Sequence, residues 1–157
     1  MGRTEAIPEL RRLLQDPVFN VRFTAANALV GLKDSSGIPL LRELLTSEHA
    51  PIRVAAARAT KSDAGPEWLT VVRALTTDQD PSVRRQAAEL VAPHDPELAR
   101  ATLESLLNDP NVAERQAAAE AYVKSVTTDF AVLRKYLRGA DSATRVRAAD
   151  RILELTR

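Results

Sequence analysis

No cysteine occurs in the 157 residues, which excludes disulfides, thiolate nucleophiles and cysteine-ligated metals. Aromatic residues make up only 4% of the chain, so a core must be filled by aliphatic and small side chains. That composition favours closely approaching helices over a β-sandwich, which draws on aromatic and β-branched residues. Neither sign of charge dominates, with 22 Lys+Arg against 21 Asp+Glu and a formal net charge of +1. The bulk electrostatic footprint of a nucleic-acid or anionic-membrane binder is therefore missing. No apolar run approaches the roughly 18 residues of a membrane-spanning helix. The start, "MGRTEA", lacks the apolar core of a signal peptide. It also carries Ala6 where a myristoylation signal has Ser or Thr. The default expectation is a cytoplasmic protein. Catalytic patterns are lacking too: there is no Ser-His-Asp set, phosphate loop or metal motif. The two histidines, His49 and His94, fall in turns and read as surface-loop residues. The sequence thus predicts a non-enzyme with no catalytic residue, no metal and no cofactor.

What the chain has in quantity is alanine, set in a repeat. "DPVFNVRFTAANAL" from Asp16 returns as "SEHAPIRVAAARAT" from Ser47, "DQDPSVRRQAAELV" from Asp78, "DPNVAERQAAAEAY" from Asp109 and "GADSATRVRAADRI" from Gly139. One arginine holds register throughout, at Arg22, Arg53, Arg84, Arg115 and Arg145, in steps of 31, 31, 31 and 30 residues. Three residues after each comes an alanine pair: Ala25-Ala26, Ala56-Ala57, Ala87-Ala88, Ala118-Ala119 and Ala148-Ala149. Five agreements at three linked positions are not accidental.

Upstream of each copy lies an apolar stripe at i, i+3, i+4: Leu10, Leu13 and Leu14 in the first unit, Leu41, Leu44 and Leu45 in the second, Leu103, Leu106 and Leu107 in the fourth. This spacing predicts a short amphipathic helix, A, at the start of each unit. Turns follow at Asp16-Pro17, Asp80-Pro81 and Asp109-Pro110, where Asp is expected to cap and Pro to open the next helix. That second helix, B, carries Val21, Ala25, Ala28, Leu29 and Leu32 on one side. "KDSSG", "KSDAGP" and "APHDP" separate the units with helix-stop chemistry. The chain therefore reads as ten helices in five antiparallel pairs, one domain with units at about 7–36, 37–65, 66–95, 96–127 and 128–157. Thr60 replaces the usual leucine of helix B, which predicts a short or frayed end there. Trp68 is expected to pack against a neighbour.

A unit of about 31 residues with two helices, Asp-Pro at the turn, then Val-Arg and Ala-Ala, resembles the HEAT repeat, and more narrowly the short HEAT-like repeats of phycobiliprotein lyase subunits. The resemblance spans about Ile7 to Leu155. It implies an all-α, right-handed α-solenoid of five two-helix repeats. It further implies that the arginine ladder bonds the turn aspartates of neighbouring units, tying Arg22, Arg53, Arg84, Arg115 and Arg145 to residues such as Asp16, Asp78 and Asp109. The alternative for the ladder is a row of phosphate- or carboxylate-binding arginines. The small alanines let neighbouring helices approach towards the lower end of the 8–10 Å range of interaxial distances.

The resemblance places helix B on the concave side, so function is sought on its outward stripe. There Phe19 and Phe23 stand one turn apart, with Val54 and Ala50 expected beside them as a small apolar patch. Arg58, Lys61 and Arg85 follow, then Glu89, Glu120 and Asp150, so that charge changes sign along the groove. This suits an extended peptide or a protein surface of mixed charge better than a uniformly anionic duplex. The function expected is a protein-protein interaction scaffold, in a monomer or weak dimer, with Phe19, Phe23, Val54, Arg58, Lys61, Arg85 and Glu89 contacting the partner. The phenylalanines could equally pack against sequence preceding Met1. Two other classes compete: an accessory subunit of a chromophore lyase or similar enzyme complex, and a nucleic-acid-binding HEAT-like protein. Arg147 and Arg151 replace apolar or small residues in unit five, which predicts a polar C-terminal cap.

Overall fold

The computed structural model describes residues 3–61, 65–125, 128, 130–139 and 142–156. Ten α-helices run in the expected order: α1 (Ile7–Leu13), α2 (Phe19–Gly31), α3 (Ile38–Leu44), α4 (Ala50–Thr60), α5 (Glu67–Leu75), α6 (Pro81–Val91), α7 (Pro96–Leu106), α8 (Val112–Ser125), α9 (Phe130–Gly139) and α10 (Ser142–Leu155). Odd numbers are the A helices and even numbers the B helices. Among the described residues there is no strand, and no helix is long and apolar enough to cross a membrane.

The chain forms two compact bodies, Met1–Val72 and Arg73–Arg157. In the first, α2 packs on α1, α3 and α4, and α3 packs on α4. In the second, α6 packs on α7 and α8, while α10 packs on α8 and α9. Contacts therefore join helices of one pair or of successive pairs, the nearest-neighbour pattern of a repeat protein. The first alanine of each pair (Ala25, Ala56, Ala87, Ala118, Ala148) is buried in all five units, as are Leu41, Val72, Leu103 and Leu133 at one register of the A helices. In the second body Ala88, Leu103, Leu106, Ala118, Ala121 and Tyr122 form one cluster. Side chains this small allow the close helix approach expected of the alanine pairs.

The arginine ladder closes the turn of its own unit. Arg22 donates through Nη1 to the carbonyls of Asp16 and Pro17 at 2.8 and 3.0 Å. The same two bonds recur from Arg53 to Ser47 and Glu48, from Arg84 to Asp78 and Gln79 and from Arg115 to Asp109 and Pro110. Each guanidinium thus satisfies carbonyls that follow helix A and have no helical partner. The expected bond to a neighbouring unit's turn aspartate is present beside these, from Arg84 Nη2 to Asp109 Oδ2 at 3.8 Å. Arg145, the fifth member, follows residues 140 and 141, which lie outside the described ones.

The turn aspartate has a local task as well. Asp16, Asp78 and Asp109 each accept the backbone N–H two residues on, at 2.8–2.9 Å. Ser47 does the same through its hydroxyl oxygen at 3.3 Å, which explains why serine can stand in the series. The prolines are not equivalent, contrary to expectation. Pro81 opens α6 behind the N-cap Asp80, whose carboxylate accepts the Ser82 N–H, whereas Pro17 and Pro110 precede their helices by two residues.

Helix α4 stops at Thr60, which is fully buried and donates its hydroxyl to the Ala56 carbonyl at 2.9 Å. Trp68 is buried and donates its indole N–H to the Ala57 carbonyl at 2.8 Å. The position one repeat earlier is Gly37, also buried, and a Cβ there would overlap the Ala26 carbonyl oxygen. One repeat later it is Ala99, fully buried. Gly37 and Trp68 thus both meet the second alanine of the preceding pair, at a register where Ala99 is also buried.

Charges tie successive A helices together. Arg11 meets Asp34 at 2.6 Å, Arg42 meets Glu67 at 3.0 Å and Arg73 meets Asp95 at 3.1 Å. The Asp34 carboxylate also accepts the N–H and hydroxyl of Ser36. Arg11 foremost, then Ser36, holds its pKa down to about 2. A carboxylate whose folded pKa is depressed adds stability above the ordinary range and loses it as pH falls through the folded value. Asp34→Asn is therefore expected to lower the melting temperature at neutral pH. The gap to wild type should narrow between about pH 4 and pH 2, measured by thermal melts across that range. A gap of constant size down to pH 2 would contradict this assignment.

Candidate protein-binding face

The outward stripe of the B helices has a different character in each body. On α2 the rings of Phe19 and Phe23 are stacked, with centroids 6.3 Å apart and planes inclined by 21°. The i, i+4 spacing sets them on one side of the helix, and both are half-buried while Asn27, one turn further, is exposed. The Arg22 guanidinium lies over the Phe19 ring at 5.8 Å, so the arginine that closes the turn also fixes the first aromatic ring.

Val54 does not extend this aromatic patch. It is 2% exposed and belongs to the core of the first body. At the same register Phe23 and Arg85 are half-buried and Val146 is 60% exposed, so this position lies on the border between stripe and core. Ala50 is half-buried, and Arg58 and Lys61 are exposed, as expected. Lys61 caps α4 with φ of 49°, a left-handed conformation that turns the chain out of the helix.

In the second body the expected change of charge sign is replaced by local pairing. Arg85 bonds Glu89 one turn along α6 at 2.8 Å, and its Nε approaches Glu114 at 4.0 Å. Arg147 bonds Glu120 at 2.9 Å, and that carboxylate raises the guanidinium pKa further, so the arginine stays charged. A groove of about 330 Å³ between α6 and α8 is lined by Arg85, Glu89, Ala117, Glu120, Ala121 and Lys124. A second, of about 320 Å³ between α8 and α10, is lined by Lys124, Arg147, Asp150, Arg151, Leu153 and Glu154. Both carry cations and acids together.

Lys124, Arg147 and Arg151 were not among the sequence candidates for this face. The available signal was the one-turn step from Glu120 to Lys124 and the 30-residue step from Ala117 and Ala121 to Arg147 and Arg151. Arg147 reaches back to Glu120 of the preceding pair. The polar replacements of unit five therefore belong to a groove wall. His49 and His94 are exposed. Among the described residues no group of three His, Cys, Asp or Glu side chains is placed to hold a metal ion.

The sequence profile of HEAT repeats matches residues 1–61 and 41–124. No curated relative matches the sequence. Among solved structures, an engineered protein from the Northeast Structural Genomics Consortium is 22% identical with a TM-score of 0.51, over 99% of this chain and 80% of its own. The complex of CpcE and CpcF of phycocyanin lyase from Nostoc sp. PCC7120 is also 22% identical, with a TM-score of 0.55 over 99% of this chain. This chain spans 65% of the length of that lyase chain. At such identity the likeness is one of fold.

Proposed function

Because the chain belongs to the HEAT-repeat family, an architecture whose stacked helices present extended binding surfaces, we propose that it is a protein-interaction scaffold whose B helices carry the docking surface. The observation that carries this reading is the stacked Phe19–Phe23 pair, partly exposed on α2. Two aromatic rings already fixed against each other bury much area at little entropic cost, the property of interface anchors. Units two to four carry Ala50, Pro81 and Val112 at the register of Phe19, so the aromatic pair is particular to unit one. In the same body Arg58 and Lys61 are exposed cations suited to an acidic partner segment. The grooves of the second body, with Arg85 and Glu89, offer alternating charge, which suits a protein surface and discriminates against a polyphosphate backbone.

The test is site-specific photo-crosslinking in the source cell. A probe at Asn27 should capture one recurrent protein, and Phe19→Ser with Phe23→Ser should cut that capture at least tenfold. The same probe at Glu43 on α3 should capture little. Capture from Glu43 alone, or capture from Asn27 that survives the double substitution, would overturn the proposal.

A further inference from the structure

Arg147 and Arg151 stand one turn apart on α10, 30 residues after Ala117 and Ala121 of α8. Ala121 is packed beside Ala88 of the preceding pair, so this register looks back towards the helix before, and both arginines line the groove between α8 and α10. Arg147 spans that groove to donate its Nε–H to Glu120 at 2.9 Å. Lys124, one turn after Glu120, completes the cationic side of the groove, whose volume is about 320 Å³. Both walls are helices of the second body that pack on each other.

The donors here outnumber the acceptors that meet them. Arg151 gives Nη1 to Glu154 at 2.9 Å, but its Nε is buried and has no hydrogen-bond partner among the described residues. Lys124 is exposed, and its ammonium has neither a hydrogen bond nor an ion pair among the described residues. A buried donor left unmade costs more than an ordinary hydrogen bond gains, and such a group in a native site calls for an acceptor. Two acids share the lining. Glu154 is engaged by Arg151, while the exposed Asp150 carboxylate makes no hydrogen bond among the described residues.

From this we infer that the groove between α8 and α10 binds a carboxylate side chain, Glu or Asp, on a partner protein. Arg151 Nε and Lys124 hold the carboxylate, and Asp150 accepts a backbone N–H of the segment that carries it. The inference rests on the scaffold reading for the source of the carboxylate and adds the chemistry of the partner that meets the second body. A carboxylate suits the groove better than a phosphate. Three cations and two acids line it, so it balances one negative charge and not the two of a phosphate monoester. Glu120, bonded behind Arg147, makes a second negative charge costlier still. The volume exceeds that of a carboxylate alone, which leaves room for the flanking chain.

NMR titration of the isotope-labelled chain tests this by following the arginine Nε–H signals. The probe is the capped peptide acetyl-Gly-Gly-Glu-Gly-Gly-amide. The Arg151 signal should shift saturably, and the same peptide with Gln in place of Glu should bind at least about tenfold more weakly. Acetate and inorganic phosphate should each bind more weakly than the glutamate peptide. Lys124→Gln, at an exposed position, should weaken the peptide about two- to fivefold. Arg151→Met, read from the Asp150 backbone amide, should weaken it about tenfold or more, with unchanged circular dichroism. The Lys124→Gln and glutamine-peptide arms decide even if Arg151→Met fails to fold. Equal shifts from the two peptides, tighter binding of acetate or phosphate, or full affinity in Lys124→Gln would each overturn the inference. The scaffold reading is judged separately by the probe at Asn27, in the other body. Loss of that capture leaves this titration unchanged, and a failed titration leaves that capture unchanged.

Discussion

Gly37→Ala is expected to destabilise the first body by about 1–3 kcal/mol, the usual cost of forcing an added group into a packed site. Gly37→Val should cost more. The new Cβ would overlap the Ala26 carbonyl oxygen and lie 2.9 Å from its carbon. These are backbone atoms inside α2, so the strain cannot be relieved by turning a side chain; α3 must move off α2. Gly31, at the end of α2, is the internal control, since a Cβ there meets nothing within 4 Å. Gly31→Ala should be neutral or stabilising by up to about 1 kcal/mol, through helix propensity and a less flexible unfolded chain. Urea unfolding of the two variants side by side gives the comparison. If Gly37→Ala proves as harmless as Gly31→Ala, the close approach of α2 and α3 at this slot is refuted.

Removal of a ladder arginine should cost about as much for a different reason. Arg84→Met keeps the side-chain stem but leaves the carbonyls of Asp78 and Gln79 without their charged donor. A hydrogen bond to a charged group is worth about 1.5–3 kcal/mol where it is sheltered, and the Arg84 side chain is 24% exposed. A loss of roughly 2 kcal/mol is expected by urea unfolding. A double-mutant cycle with Asp109→Asn separates the two accounts of the ladder. With carbonyl bonding dominant, the coupling energy between Arg84 and Asp109, 3.8 Å apart, should stay below about 0.5 kcal/mol. Coupling above about 1 kcal/mol would restore the inter-unit ion pair as the main bond.

The sequence displayed the period, the ten helices and the inward alanines because each depends on residue type at fixed spacing. The ladder's bonds to backbone carbonyls were not legible, because an acceptor that every residue owns leaves no compositional trace. The acid of a neighbouring unit was legible, and Asp109 lies 3.8 Å from Arg84 while also accepting the N–H two residues on. Val54 was misplaced because its register lies on the border between stripe and core, where Val54 is 2% exposed and Val146 is 60% exposed. Arg85, Glu89 and Glu120 were found as types but not with their partners. Arg85 with Glu89 fits one-turn spacing, whereas Arg147 with Glu120 joins residues 27 apart and requires knowing how α10 lies on α8. Phe19 and Phe23 stood out because aromatics are scarce in this chain, and their stacking followed from their spacing.

The closure of each turn by its own arginine bears on how such a chain can change length in evolution. Donor and both acceptors fall within seven consecutive residues, as from Asp16 to Arg22. A tandem duplication or deletion of one whole 31-residue step therefore carries its turn lock with it. What must be matched to the preceding unit is the slot filled by Gly37 or Trp68 and the ion pairs between units, such as Arg42 with Glu67. Copy number can drift while the turns stay intact, and selection acts on those mating positions.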